Sequence, residues 1–315
     1  MRCPKCQFDH ALQTTECLKC GIVFARYLEA LERAAKRAGP ALPMAVPAPP
    51  LAYASASDRN NAVRELGYRA LALPLALLVA RLIDGTGLGM ASAMLAMVLH
   101  ESGHAITAWL TGRWAIPLLW VTPHGEERSW AIVLVMTATI VLAGFLTWKA
   151  QHWGWVLAAS AVLILQVIFL NLPAGAAIVF CGEGGAMVLA TILMAMFYAP
   201  RESALGKSWG LRWGLLVIGA LSFMHVFRIW TGPFEDIPFG EIEGVGPSDP
   251  TLLTETYGWS VTQLVDRYVR LGTVCLAFLA GMYVWALVSA YLQRSRSPSS
   301  QKKCIWTERR HLAKR

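Results

Sequence analysis

Five consecutive residues, His100-Glu101-Ser102-Gly103-His104, have the types and spacing of a metallohydrolase centre. In a helix, positions i and i+4 share one face, so both imidazoles can grip one metal ion. Glu101 stands beside them, placed to take a proton from water. Zn²⁺ brings the pKa of a bound water to about 7, which yields a hydroxide at neutral pH. A peptide carbonyl polarised by the same ion is its natural target. At this composition, about 0.007 H-E-x-x-H runs are expected by chance. The competing reading is a pair of hydrogen-bonded helix histidines. It is weakened by the apolar surroundings, AMLAMVLHESGHAITAWL. There each ionisable group costs up to about 3 kcal/mol and usually marks function.

A catalytic zinc takes a third protein ligand and keeps one position open. The candidates are His124, Glu126, Glu127, His152 and Glu183. The chain leaves the metal helix at 110 and crosses out and back through 129–180. That path returns Glu183 to the side of the C-terminal half of the metal helix. Gly182, Gly184 and Gly185 flank it and allow close backbone approach. His152 falls in the turn on the opposite side. His124, Glu126 and Glu127 lie on the right side, in what reads as a solvated polar turn. Glu183 is favoured.

A second constellation opens the chain. Cys3-Pro4-Lys5-Cys6 and Cys17-Leu18-Lys19-Cys20 form a C-x2-C-x10-C-x2-C array. Four thiolates at this spacing close a tetrahedron around a structural Zn²⁺. Metal binding would supply the folding energy of a segment too short for its own core. A redox pair or two disulfides compete with this, but the expected cytosolic side keeps thiols reduced. Cys181 and Cys275 read as small apolar fillers.

Both centres need elements to hold them. Hydrophobic residues make up 56% of the 315 residues and charged ones 15%, with 13 tryptophans. An ordinary soluble domain has about 25% charged residues, so a disordered chain and a nucleic-acid-coated basic protein are excluded and a purely soluble domain is disfavoured. The net charge of +8 gathers at the two ends. Residues 1–38 read as a zinc ribbon followed by an amphipathic helix over 21–38, which Gly39 and Pro40 end. Residues 39–65 form a Pro/Ala-rich linker. Residues 66–292 form the membrane domain, and 293–315 a basic tail. Six or seven apolar segments are expected, at 66–83, 88–110, 129–148, 153–180, 184–199, 210–230 and 268–292. The fold class is an all-α polytopic membrane protein with a small N-terminal zinc ribbon of four cysteines. No secretory leader is visible. Basic ends and an acidic 231–266 loop place both termini in the cytosol. That requires an even number of crossings, which is met if 184–199 dips in and returns. The acidic loop reads as a solvated outer surface. The lone His225 reads as a bond to a neighbouring helix.

The HESGH helix is followed by a helical hairpin, then Asn171-Leu172-Pro173 and Glu183-Gly184-Gly185. Over about residues 88–200 this resembles the site-2 protease family of intramembrane zinc metalloproteases. The resemblance implies that His100 and His104 are zinc ligands and Glu101 the general base. It also implies that Glu183, where the family carries Asp, is the third ligand and that Asn171 sits near substrate. The spacing from Asn171 to Pro173 is one residue shorter than in the family. A membrane-associated β-hairpin is implied after the metal helix, and residues 113–124 fit one. Its edge could take a substrate as an added strand, with Pro117 tolerated there. An interfacial loop anchored by Trp114 and Trp120 is the equal alternative.

The expected activity is a zinc endopeptidase acting on membrane-anchored proteins, with one catalytic and one structural Zn²⁺. A non-catalytic zinc-binding scaffold is the alternative. A transporter would need related halves with paired broken helices, and no internal repeat is present. The expected setting is a bacterial inner membrane, with the lipid bilayer and a membrane-anchored substrate as partners. The ribbon is free to take a cytosolic protein partner. Nucleic acid is disfavoured, because residues 1–20 offer only Arg2, Lys5 and Lys19 as cations.

Overall fold

The computed structural model describes residues 15–16, 20, 22–37, 56–199, 203–242 and 246–295. The chain divides into two compact units, Met1–Tyr53 and Ala54–Arg315.

In the first unit, α1 spans Phe24–Arg37, as the 21–38 pattern anticipates. Before it, Glu16 bridges to Val23, and the Phe24 amide donates to the Thr15 carbonyl. Cys20 is exposed. Cys3, Cys6 and Cys17 lie outside the described residues, as does most of the basic tail.

The described residues of the second unit are mainly helical. It comprises α2 (Ala56–Asp84), α3 (Gly89–Leu110), α4 (Trp130–Lys149), α5 (Trp153–Asn171), α6 (Ala174–Ala195), α7 (Ala204–Lys207), α8 (Trp209–Thr231), α9 (Asp249–Thr251) and α10 (Val261–Ser295). Two-residue strands β1 (Glu241–Ile242) and β2 (Gly246–Pro247) pair antiparallel between α8 and α9. Among the described residues, six helices are long and apolar enough to cross a membrane, over Arg64–Asp84, Trp130–Lys149, Trp153–Asn171, Ala174–Tyr198, Trp209–Thr231 and Val261–Leu292. This is an all-α integral membrane protein. The motif helix α3 is of similar length but is not among the six, since its ionisable residues dilute its hydropathy.

Two boundaries differ from the sequence reading. The linker does not reach residue 65, because α2 begins at Ala56. Residues 56–65 contain no proline or glycine, so nothing prevents the apolar helix from extending backwards. The apolar run 153–180 is not one segment. It breaks at Leu172-Pro173, and a single helix with one 3-10 turn then runs from Ala174 to Tyr198. Proline lacks an amide donor and restricts the residue before it, so α5 ends there. The glycines at 182, 184 and 185 do not end α6, because its neighbours bury it. The segment 184–199 is therefore the second half of a long helix rather than a separate dip.

The core lies where α6, α8, α2 and α10 meet. It is filled by Met187, Met194, Phe197, Phe223, Trp230 and Tyr268, among others. Its charged groups are paired, whereas the Trp230 indole N–H and the Ser222 hydroxyl find no hydrogen-bond partner among the described residues. His225 of α8 bonds Asp84 of α2 through Nδ1 at 2.7 Å, and Arg228 reaches the same carboxylate. Arg212 is buried between Glu65, at 3.1 Å, and the Phe197 carbonyl. The cost of placing charges in an apolar interior is thereby offset.

Candidate metal centre

Glycine sets how closely α3 and α6 approach. A Cβ on Gly103 would lie 2.1 Å from the Cys181 carbonyl oxygen, and one on Gly185 would lie 2.6 Å from the Gly103 Cα. The two backbones touch at this crossing. Contact brings the His100–His104 face of α3 against Ile178, Gly182 and Glu183 of α6.

The two histidines are adjacent. Their ring centroids are 4.6 Å apart, and their Nε2 atoms are 3.0 Å apart. Behind His104, Nδ1 lies 2.8 Å from the Ile178 carbonyl oxygen. A carbonyl only accepts, so that nitrogen carries the proton and Nε2 keeps its lone pair. Behind His100, Nδ1 faces Glu183 Oε1 at 3.8 Å. The third group at the Nε2 side is Asp249, whose Oδ2 lies 3.2 Å from His100 Nε2 and 3.1 Å from His104 Nε2. His100, His104 and Asp249 are thus placed to hold a metal ion.

These residues fit a zinc ion. Three ligands at about 2.0–2.1 Å from a tetrahedral metal lie about 3.4 Å from one another, near the three separations found here. Asp249 Oδ2 is buried and without a well-formed hydrogen bond among the described residues. Without a cation, three electron-rich atoms in mutual contact would repel. A Cβ on Gly182 would project to 2.6 Å from His104 Nε2 and 2.5 Å from Asp249 Oδ2, so a side chain there would intrude on the cluster. In the metal-free site burial alone would push the Asp249 carboxyl up, but the facing imidazoles, once protonated, outweigh this and hold it below the usual carboxylate range. A carboxyl held down in this way stabilises the fold at neutral pH, and that stabilisation is lost as the pH falls towards the lowered value.

Glu101 is buried one residue along α3. The Thr122 hydroxyl lies 2.7 Å from its Oε2 and 3.0 Å from its main-chain oxygen. Thr122 belongs to a β-hairpin. The chain leaves α3 through Gly112, whose φ of +80° favours glycine, and the Arg113 amide returns to the Ala108 carbonyl. Residues Trp114–Gly125 then fold back. Ala115 pairs with His124, the Gly125 amide donates to the Trp114 carbonyl, and that of Ile116 donates to the Pro123 carbonyl. The sequence-derived hairpin over 113–124 is therefore present. Its tip exposes Leu118, Leu119 and Trp120.

The sequence-derived candidates separate clearly. His100, Glu101 and His104 come together. Glu183 is buried beside them, but against the outer nitrogen of His100 rather than at the converging atoms. Asn171 is exposed at the end of α5, where its amide donates to the Val167 carbonyl. His124 sits in the hairpin, and Glu126, Glu127 and His152 are exposed. Asp249 escapes the sequence reading, because it lies in the acidic stretch that reads as solvated surface. One signal is available. Ser248-Asp249-Pro250-Thr251 starts a helix, and Leu252-Leu253 follow it, which would draw that turn inwards. Pro250, Thr251 and Leu253 are indeed buried.

No family model, curated protein or solved structure matches this chain.

Proposed function

We propose that this protein is an intramembrane zinc endopeptidase of the site-2 protease type, in which His100, His104 and Asp249 hold the catalytic ion. The observation that carries this reading is the convergence of three donor atoms within 3.2 Å of one another beside the buried Glu101. In this reading Glu183 does not ligate. It faces His100 Nδ1 and orients that ring, as carboxylates commonly do behind metal-bound histidines. Zinc bound there would supply Lewis acidity and an acidified water.

The chain's own groups do the rest. Glu101 accepts the water proton and later delivers it to the departing amine. The Thr122 hydroxyl holds one Glu101 oxygen, leaving the other for proton transfer. His104 is fixed by the Ile178 carbonyl, and Glu183 stands behind His100 at 3.8 Å. Asn171 takes no part. Substrates would be membrane-anchored polypeptides whose helix unwinds locally, since a helical carbonyl is shielded.

The experiment compares membrane fractions from cells expressing the wild-type chain or Glu101→Gln. The wild-type chain should generate new termini within membrane segments, and 1,10-phenanthroline should stop this. Glu101→Gln should abolish those termini while keeping the bound metal. Identical fragments from both chains would refute the assignment.

A further inference from the structure

Asp249 stands on a far shorter element than the histidines it faces. His100 and His104 belong to a helix of 22 residues, whereas α9 has three. A helix that short is not stable by itself, so its surroundings must set where the carboxylate lies. A metal ligand has to be held within about 0.5 Å of its working position.

The bonds that hold this turn run to one residue, Gly240. β1 and β2 pair Glu241 with Pro247, and the Ser248 amide continues that ladder to the Gly240 carbonyl at 2.8 Å. In return, the Gly240 amide donates to Thr251 Oγ1 at 2.8 Å. Thr251 Oγ1 also lies 3.3 Å from the Gly240 carbonyl oxygen and 3.0 Å from Ser248 Oγ. A threonine hydroxyl has one proton to give and two lone pairs. Here it accepts from the Gly240 amide and the Ser248 hydroxyl and donates to the Gly240 carbonyl, so its capacity is filled. Ser248 and Thr251 are both buried, where unmet polar groups are costly. Gly240 has a φ of +112°, which favours glycine, although a Cβ there would meet nothing within 4 Å.

On the other side of Asp249, the chain is anchored by packing. Leu253 is buried in the core, and the Trp259 ring lies 5.6 Å from that of Phe180 on α6. The ligand is therefore held between an apolar plug and a hydrogen-bonded clasp, and one side chain closes the clasp. We propose that Thr251 is the positioning residue that presents Asp249 to the metal. It acts by clamping residues 248–251 onto Gly240, which keeps Asp249 Oδ2 3.2 Å from His100 Nε2 and 3.1 Å from His104 Nε2. Thr251 has this role only if His100, His104 and Asp249 hold zinc, as proposed above.

The test measures zinc affinity of the full chain in detergent, by competition with a chelator, for the ion that His100→Ala removes. Thr251→Val keeps the shape of the side chain without its hydroxyl and should weaken that ion about tenfold. Thr251→Ser should restore most of the affinity. Gly240→Ala, at an exposed position, should weaken binding in the same sense from the other half of the clasp, and it carries the comparison if Thr251→Val does not fold. In an Asp249→Ala background the loss from either change should vanish, because the clasp acts only through that carboxylate. Wild-type affinity in Thr251→Val and Gly240→Ala would overturn the role of Thr251 and leave the zinc reading standing. So would the same loss with Asp249 already removed, since the clasp would then act on the fold alone. If His100→Ala removes no ion, the zinc reading fails and this role fails with it.

Discussion

The α3–α6 crossing and the α4–α5 hairpin are both built from apolar helices, yet they do opposite things. In α4 only Val133 and Ile140 are buried, and in α5 only Gln166. Along α6, eleven residues are buried, most of them small. Leu and Val dominate the first pair, and their bulk faces outwards. Gly103, Gly182 and Gly185 dominate the second, so backbones meet and a polar cluster is enclosed. Apolar character puts a helix in the membrane. Small residues and ionisable groups decide which helix faces its neighbours.

Substitutions can break this contrast, beginning with the chemistry. Glu101→Gln should lower turnover by about 10²–10⁴-fold, the usual contribution of a general base, with zinc content unchanged. Asp249→Ala and Glu183→Gln should then part company. The first should weaken zinc binding by more than about 100-fold. The second should cost about 10–100-fold, as for an outer-shell partner. If Glu183→Gln strips the metal while Asp249→Ala retains it, the two carboxylates have been assigned the wrong way round.

Packing follows. Gly103→Ala places a methyl group against the Cys181 carbonyl and should destabilise the chain by about 1–3 kcal/mol. The readout is the thermal midpoint in detergent. The smallest effect belongs to the other region. Val135→Ala in α4 faces outwards and should stay within about 0.5 kcal/mol. A large loss there would mean that α4 is covered by a partner.

Much of this is legible in the residues alone. The helical class follows from long apolar runs. The i, i+4 spacing of His100 and His104 fixes their shared face, and the glycines around Glu183 announce a close approach. The break at Pro173 is readable from proline chemistry, yet the continuous hydropathy of 153–180 conceals it. Asp249 is not legible, because no fixed spacing ties it to the motif. It is 145 residues beyond His104 in the chain, and only tertiary folding brings them together. An acidic stretch hides one partly buried aspartate among several solvated acids.

The most direct test of the account counts metal. Zinc per chain is measured for the purified full-length protein, for Cys3→Ser and for His100→Ala. The account predicts two ions in the first and one in each variant, with the ion lost from His100→Ala also lost from Asp249→Ala. Two ions retained in His100→Ala would contradict it.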